Sequence, residues 1–582
     1  MLKKLHSLFP PILLINKQLS YRPKRKYTAL YLDLKLLLLS STYISNAFLF
    51  IPRSNFMLAI LDTMPSIYAM VANGLIIIGI WLITKLVLRA YSTPLRHIPG
   101  PFFGTFSNFS LTYHLARGQY HRYTQGVHTK YGEVVRIGYN KVSVSNVAEL
   151  KRILSTHNFR KGKGYEKIGF KPRNTFSTID PELNKTRKKQ FGNAYSLTSI
   201  RTYEDSILEH GVFSLIKSWD ACFAKGKQRD GRPEALVNFY YGFHAVAFDI
   251  IGVLGFGRSF GIAATGNTRI IDAVNKTLAI GTIKGNLPFG NRLQWLFRGM
   301  ANEPEFLQAT ARAAVAECKL QRPNPCNTNA KAQKPNILQH LVDACDPLTG
   351  EPIDDEALVS EVLLMLIAGT DTSSNGLSWT MLCLLHYPEI YSKLRNQVRS
   401  RFDKGSIIRC DDVKNQLPYL VAVVTESMRL HTTVAGILPR QMPAAGAELM
   451  NGKYHLPSGT EVCISLSACH RNGNIWANPS KFDPERFMGP DREERMRDVL
   501  AFSAGVRICL GRHLATAEMY TVLANIMLRY DFRLPDLETD CYEELAGCKR
   551  YKSVDDVPQR TFLNCSPKYP QKDCWAIISP AS

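Results

Sequence analysis

No Pro-, Gly- or Ser-rich linker divides the chain after about position 105, and no low-complexity tract interrupts it. Its 582 residues are therefore not a string of tethered modules. Thirteen cysteines are present, yet none stand as CxxC or CxxCH, which removes zinc ribbons and covalent-cofactor motifs built on paired thiols. Irregular cysteine spacing in so long a chain fits a reducing compartment better than a disulfide scaffold. The glycines of GVLGFGRSFG, between Gly252 and Gly261, lack GxGxxG spacing and a strand-then-helix setting, so they read as turns. Acidic residues are scarce: 49 Asp and Glu against 72 Lys and Arg leave a formal charge of +23. That suits an anionic partner, but the basic residues are scattered, with no zinc-finger spacing or aromatic-flanked RNA motif. Nucleic acid drops out, leaving an acidic membrane or protein surface.

One long uncharged run is present. TMPSIYAMVANGLIIIGIWLIT, Thr63 to Thr84, is long enough to cross a bilayer as a helix, and Lys85, Arg89, Arg96 and His97 after it place the downstream side in the cytosol. Leu36–Ile51 is a shorter apolar run behind the basic cluster YRPKRK and reads as a second span or an interfacial segment. It does not resemble a cleaved signal peptide. Met57 lies just before the stronger span and Met64 at its start, so the expected organisation is an extension at 1–62, which a start at one of these methionines would leave out of the native protein, an anchor at 63–88, a connector at 89–104 and one large domain at 105–582.

In STPLRHIPGPFFG, Pro94, Pro99 and Pro101 cannot continue a helix and predict a stiff, extended connector. YGEVVRIGYNKVSVSN alternates around a Gly-Tyr-Asn turn and predicts a β-hairpin. Helices are expected over Glu361–Tyr387, Glu389–Phe402, Tyr419–Leu430 and Leu514–Tyr530. Leu358–Ile367 is apolar on all faces but too short to span a membrane, and the polar AGTDTSSNG interrupts it, so a buried helix through the core is expected. The fold class is mainly α with small β-sheets.

FSAGVRICLGRHLA, Phe502 to Ala515, carries the chemistry. Gly505 and Gly511 would let backbone approach a flat ligand, Arg507 adds positive charge, and the helix beginning just after Cys509 would favour a thiolate there. In AGTDTS, Ala368 to Ser373, a carboxylate and hydroxyls break an apolar helix; read alone, Asp371 and Thr372 are equally a helix kink. Glu426 and Arg429 of ESMR stand three apart on a helix, with Arg486 downstream in DPERF.

Together these stretches resemble the cytochrome P-450 superfamily. FSAGVRICLG matches its haem signature FxxGxRxCxG at every fixed position, AGTDTS fits the central-helix [AG]GxDT motif, and ESMR and PERF fit ExxR and the element after it. The resemblance runs from about Pro94 to Tyr530. It implies haem b with Cys509 as axial thiolate, Phe502 near the sulfur, Arg507 and Arg440 on propionates, Asp371 and Thr372 organising proton delivery, and Glu426, Arg429 and Arg486 as a buried structural network. Where many members carry Trp or His and then Arg four residues later, this chain has Asn184 and Lys188; a lysine meets a propionate only as a point charge. The tail after Leu534 matches poorly until PKYPQKDCWAIISP.

The implied activity is insertion of one oxygen atom from dioxygen into a lipophilic small molecule, a steroid, terpenoid, fatty acid or specialised metabolite. No flavin or NADPH module is visible, so electrons would come from a separate NADPH-dependent flavoprotein reductase docking on a basic face near Cys509, at the endoplasmic reticulum membrane with a single-pass anchor. The pocket is expected from Tyr165–Thr175, Leu364–Ala368 and Thr432–Leu438. Peroxide-driven or rearrangement chemistry, and a non-catalytic haem sensor, are the alternatives.

Overall fold

The structure is a computed structural model that describes residues 53–167, 171–229, 231–286, 302–320, 336–346, 349–540 and 542–582. The basic cluster YRPKRK, the run Leu36–Ile51 and residues 168–170 of the expected pocket lie outside the described residues. The chain divides into two compact units, Met1–Leu86 and Val87–Ser582.

Helix α1, Arg53–Tyr91, contains the apolar run, and its stretch Ala69–Leu88 has a mean hydropathy of 2.1 with none of it buried inside the fold. An uninterrupted apolar surface of that length is stable only against lipid or another apolar surface. Two other described helices are long and apolar enough to cross a membrane, but both are largely buried inside the second unit. The Pro-rich stretch after α1 is not a free spacer. Leu95 and Ile98 are buried in the core, the Arg136 amide donates to the Pro99 carbonyl at 2.8 Å, and a Cβ on Gly100 would meet the Arg136 carbonyl oxygen at 2.1 Å. Burial of two large aliphatic side chains, each stabilising by about 1.5–3 kcal/mol, outweighs the extended preference of the prolines.

In chain order, the elements that position the site begin with the hairpin β1, Val134–Gly138, and β2, Lys141–Val144, paired in the register Val134↔Val144 with an irregularity between Arg136 and Gly138. Both faces of β1 are buried. Its Arg136 side chain is tolerated there because it donates to the carbonyls of Thr105, Gly138 and Tyr139. Next come α2, Pro181–Gly192, the strands β3, Lys227–Arg229, and β4, Arg232–Asn238, and α3, Phe239–Phe256. The central helix α4 is Asp355–His386, followed by α5, Pro388–Arg401, and α6, Pro418–Leu430. Strands β5, Leu438–Gln441, and β6, Glu461–Ile464, precede α7, Arg512–Arg529. The tail supplies β7, Tyr530–Arg533, β8, Gln559–Thr561, β9, Cys565–Pro567, and β10, Trp575–Pro580.

The sheets are small: β1-β2-β6-β5, in which β2 and β6 run parallel, β3-β4-β10-β7, and the tail hairpin β8-β9. Helices α3, α4, α6 and α7 carry most of the core. The chain is thus mainly helical with small sheets.

One local expectation changes. Gly252 and Gly255 are not turns but lie inside α3, which ends at Gly257 with a φ of +72°. A Cβ on Gly255 would stand 2.1 Å from Met365 Cε, and one on Gly369 of α4 would stand 2.6 Å from Ile251 Cδ1. Side chains of α3 and α4 fill the space beside those bare positions, and helix packing overrides glycine's weak helix propensity of about 1 kcal/mol. The polar stretch AGTDTSSNG ends the apolar run inside the buried helix α4, as expected from the sequence. The hydroxyls of Thr370, Thr372, Ser374, Ser378 and Thr380 each donate to the carbonyl four residues back, at 2.6–2.8 Å, so the polar groups are satisfied within an unbroken helix.

Candidate haem-binding active site

The loop from Phe502 to Gly511 turns back on itself: the Cys509 amide donates to the Phe502 carbonyl at 2.9 Å, and α7 starts immediately afterwards. Cys509 is accessible and lines a cavity of about 320 Å³. Burial pushes the thiol up in pKa, while the Gly511 and Arg512 amides and the Lys188 and Arg512 cations pull it down. Those four donors define the environment that a thiolate needs.

The cavity brings together segments far apart in sequence: α2, α4, the turn at Thr433–Val434, β5, the Cys509 loop and the start of α7. Thr372 lines it, while Asp371 does not. Phe502, Arg507, Gly511, Arg440 and Lys188 all line it as well. Gly505 stands outside. Its φ is +55°, and a Cβ there would lie 2.5 Å from Ser155 Cα, so its bareness serves packing against the end of another helix rather than a flat ligand.

Four cations converge on the cavity: Lys161, Lys188, Arg440 and Arg507. Arg507 Nη1 donates to Asn184 Oδ1 at 2.7 Å, and the Lys188 amine donates to the Val506 and Ile508 carbonyls, each at 2.9 Å. Lys188 thus spends two of its three donors tying α2 to the Cys509 loop. Arg440 Nε and Nη1 and Arg507 Nε and Nη2 are buried with no hydrogen-bond partner. Burial and mutual repulsion lower Arg507 to about 10 and Lys188 to about 8. Three buried cations and the half-buried Lys188, with unpartnered nitrogens on both arginines, call for anionic oxygens between them. A planar group with two carboxylate arms, whose metal takes one soft anionic ligand at Cys509, fits this donor set.

The support beneath the loop is built from the two arginines and the glutamate of ESMR and PERF. Arg429 Nε and Nη2 donate to Glu426 at 2.6 and 2.7 Å, Arg486 Nε donates to it at 3.2 Å, and the Asp483 amide at 2.9 Å. Arg429 also donates to the carbonyls of His470 and Pro479. His470 in turn accepts from the Leu500 amide at 2.8 Å, two residues before Phe502. A buried ion pair is therefore linked by one imidazole to the thiol loop.

Several site residues carried no recognisable motif. Lys161 comes from FRKGKGYEK, where a lysine among lysines gives no signal. Glu361 accepts from the amide and hydroxyl of Thr175 at 2.8 and 2.9 Å, and burial pushes it up to about 7. Glu518, on α7, is buried beside the cavity and pushed up to about 8. The tail enters as well. The Gly436 amide donates to the Leu563 carbonyl, the Cys565 amide to the Thr433 carbonyl, and Asn564 Nδ2 to Asp371 Oδ2 at 2.7 Å. Of the expected pocket, Tyr165, Thr175, Leu364, Met365, Ala368, Thr433, Val434 and Leu438 line the cavity. Thr432 is turned away, its hydroxyl 2.6 Å from His470 Nδ1.

The sequence profile of the family described as Cytochrome P450 matches residues 94–546. Cytochrome P450 monooxygenase helB3 of Aspergillus fumigatus is 30% identical over 506 residues, which covers 85% of this chain and 95% of that protein. Cytochrome P450 monooxygenase helB1 of the same organism is 28% identical, covering 85% and 83%, and cytochrome P450 monooxygenase atnE of Emericella nidulans is 29% identical, covering 77% and 88%. The crystal structure of a cytochrome P450, CYP102L1, superposes with a TM-score of 0.64 at 19% identity, covering 83% of this chain and 99% of that one. With its profile matched along most of its length, its fold shared and its thiol at the mouth of a cation-lined cavity, the chain belongs to the cytochrome P450 family of haem-thiolate monooxygenases.

Proposed function

We propose that this protein inserts one oxygen atom from dioxygen into a lipophilic small molecule, at the endoplasmic reticulum membrane, with electrons from a separate NADPH-dependent flavoprotein reductase. The observation that carries the reading is the cavity itself, which sets the Cys509 sulfur, two arginines with unpartnered nitrogens and the Thr372 hydroxyl around one space. Haem b bound there supplies the redox chemistry that activates dioxygen.

The chain's own residues do the rest. Cys509 would ligate the haem iron through its sulfur, which Phe502 and the amides of Gly511 and Arg512 hold in place. Arg440 and Arg507 would meet the haem propionates, and Lys161 and Lys188 would add positive charge to the same cavity. Thr372, whose hydroxyl now donates to the Ala368 carbonyl at 2.6 Å, is free to rotate toward a reacting oxygen or a water, and Asp371 next to it is the source of protons. Ile251, Leu364, Met365, Ala368 and Val434 make the walls apolar, which favours a lipophilic substrate and excludes bulk water. Steroids, terpenoids, fatty acids and other specialised metabolites fit that description. Lys185 and Lys189, exposed on α2 beside Lys188, give the reductase a basic face near Cys509. Helix α1 is the single-pass anchor of the proposed topology.

The test is Cys509→Ser in the full-length protein. Its reduced carbonyl spectrum is expected to lose the thiolate-type Soret band, and NADPH-dependent oxidation with reductase should stop, because an alkoxyl oxygen is a harder and less electron-donating ligand. A thiolate-type band surviving in Cys509→Ser overturns the assignment.

A further inference from the structure

Asp371 and Thr372 are consecutive on α4, roughly 100° apart around the helix, and they face different surroundings. Thr372 lines the cavity, whereas the Asp371 carboxylate is buried on the packed side. Three side chains from three parts of the chain enclose it. Asn375 Nδ2 donates to Oδ1 at 3.0 Å, Asn564 Nδ2 of the tail donates to Oδ2 at 2.7 Å, and His244 Nε2 of α3 stands 3.5 Å from Oδ1. His244 is itself fully buried, and its Nδ1 lies 2.9 Å from the Tyr240 carbonyl oxygen.

That last contact fixes the tautomer. A carbonyl oxygen only accepts, so Nδ1 must carry a hydrogen and donate it. In a neutral imidazole this leaves Nε2 as a bare lone pair aimed at a carboxylate, two acceptors facing each other in a dry site; Nε2 indeed has no hydrogen-bond partner. The contact becomes attractive only when one further proton sits on the pair, on Nε2 or on Oδ1.

We propose that His244 and Asp371 hold that proton jointly, and that the pair is the proton store directly behind Thr372. The inference rests on the role proposed above for Asp371 and Thr372. His244 is then a positioning residue that acts through Asp371, and Asn564 fixes the second carboxylate oxygen. In the transfer the Nε2–H bond breaks and an Oδ1–H bond forms. The carboxyl proton then passes through a hydroxyl or a water into the cavity, a proton entering by that same cavity route recharges the pair between turnovers, and no electron moves. The arrangement also explains why a tail outside the recognisable motifs is bonded to the central helix: it closes the far side of the store against water.

The first experiment reads the proton directly. Full-length protein labelled with ¹⁵N-histidine, in lipid nanodiscs with haem bound, is examined by solid-state NMR, and the His244 signals are identified by their absence in His244→Gln. Wild type is expected to show a protonated Nδ1 and an Nε2 that shares a proton, and Asp371→Asn to convert His244 to the neutral form with a bare Nε2. A wild-type His244 with bare Nδ1, or signals indifferent to Asp371→Asn, overturns the proposal. The second experiment follows dioxygen uptake with NADPH, reductase and dodecanoic acid. His244→Gln keeps a donor to Asp371 but cannot carry the extra proton, so uptake should fall about tenfold or more with haem content unchanged. Uptake within about twofold of wild type, or loss of haem in both His244→Gln and His244→Phe, assigns His244 to packing and overturns the proposal. If wild type itself takes up no dioxygen, the oxygen-activating reading fails, while the NMR result still decides where the proton lies.

Discussion

Replacing Glu426 by alanine removes the carboxylate against which Arg429 is buried, with both side chains fully excluded from solvent. Glu426 accepts two hydrogen bonds from Arg429, one from Arg486 and one from the Asp483 amide. Breaking one side of a buried pair typically costs about 3–5 kcal/mol because the remaining charge is left uncompensated. Arg429 keeps its carbonyl partners at His470 and Pro479, which places the expected loss in the lower part of that range, about 3–4 kcal/mol. Set against a total stability of about 5–15 kcal/mol, this is enough to lower the yield of folded holoprotein. The assay is urea unfolding of purified holoprotein followed by tryptophan fluorescence, with the reduced carbonyl band as a parallel readout of the thiol loop. The control is Glu485→Ala, which breaks the half-exposed Lys393–Glu485 pair and should cost about 0–1 kcal/mol. A loss below about 1 kcal/mol for Glu426→Ala would refute the view that this buried pair holds up the haem-side loop.

Thr372→Val keeps nearly the same volume but removes the hydroxyl, so haem content and substrate binding should persist while a larger share of NADPH ends as hydrogen peroxide; an unchanged ratio of product to NADPH removes Thr372 from the mechanism. Deleting residues before Pro94 should release the protein from membranes with haem binding intact, since the first buried core residue after α1 is Leu95; pelleting that persists in high salt would show a further membrane-embedded surface. Burial holds His470 neutral, lowered to about 3, while the unfolded chain takes up a proton near 6.5. Its contribution is therefore present above about 6.5 and lost as pH falls from there toward 3. The melting temperature of wild type should fall more steeply from pH 7 to 5 than that of His470→Gln, and equal slopes would count against it.

The tail shows what reading the chain could and could not reach. FSAGVRICLG, AGTDTS, ESMR and PERF are contiguous strings whose chemistry depends on neighbours a few residues away: a thiol just ahead of a helix, or a glutamate and an arginine one helical turn apart. Local spacing therefore determined the family and the helices that bear its motifs, with helix ends displaced by a residue or two and α4 longer at its start, where Asp354 caps it. Composition and one uncharged run determined the candidate anchor. Tertiary structure alone decided the rest, because burial and hydrogen-bond partners are properties of residues brought together from distant parts of the chain. It turned Gly255 of GVLGFG from a turn into a close helix contact, moved Gly505 out of the cavity, and set Lys161 and Glu361 into its wall. It also placed His244 and Asn564, separated by more than half the chain, on the two oxygens of one buried carboxylate. No periodicity or motif announces such a contact, since its cause is the packing of α3 and the tail against α4, and only the folded chain brings a donor within reach of an acceptor that would otherwise be stranded away from water.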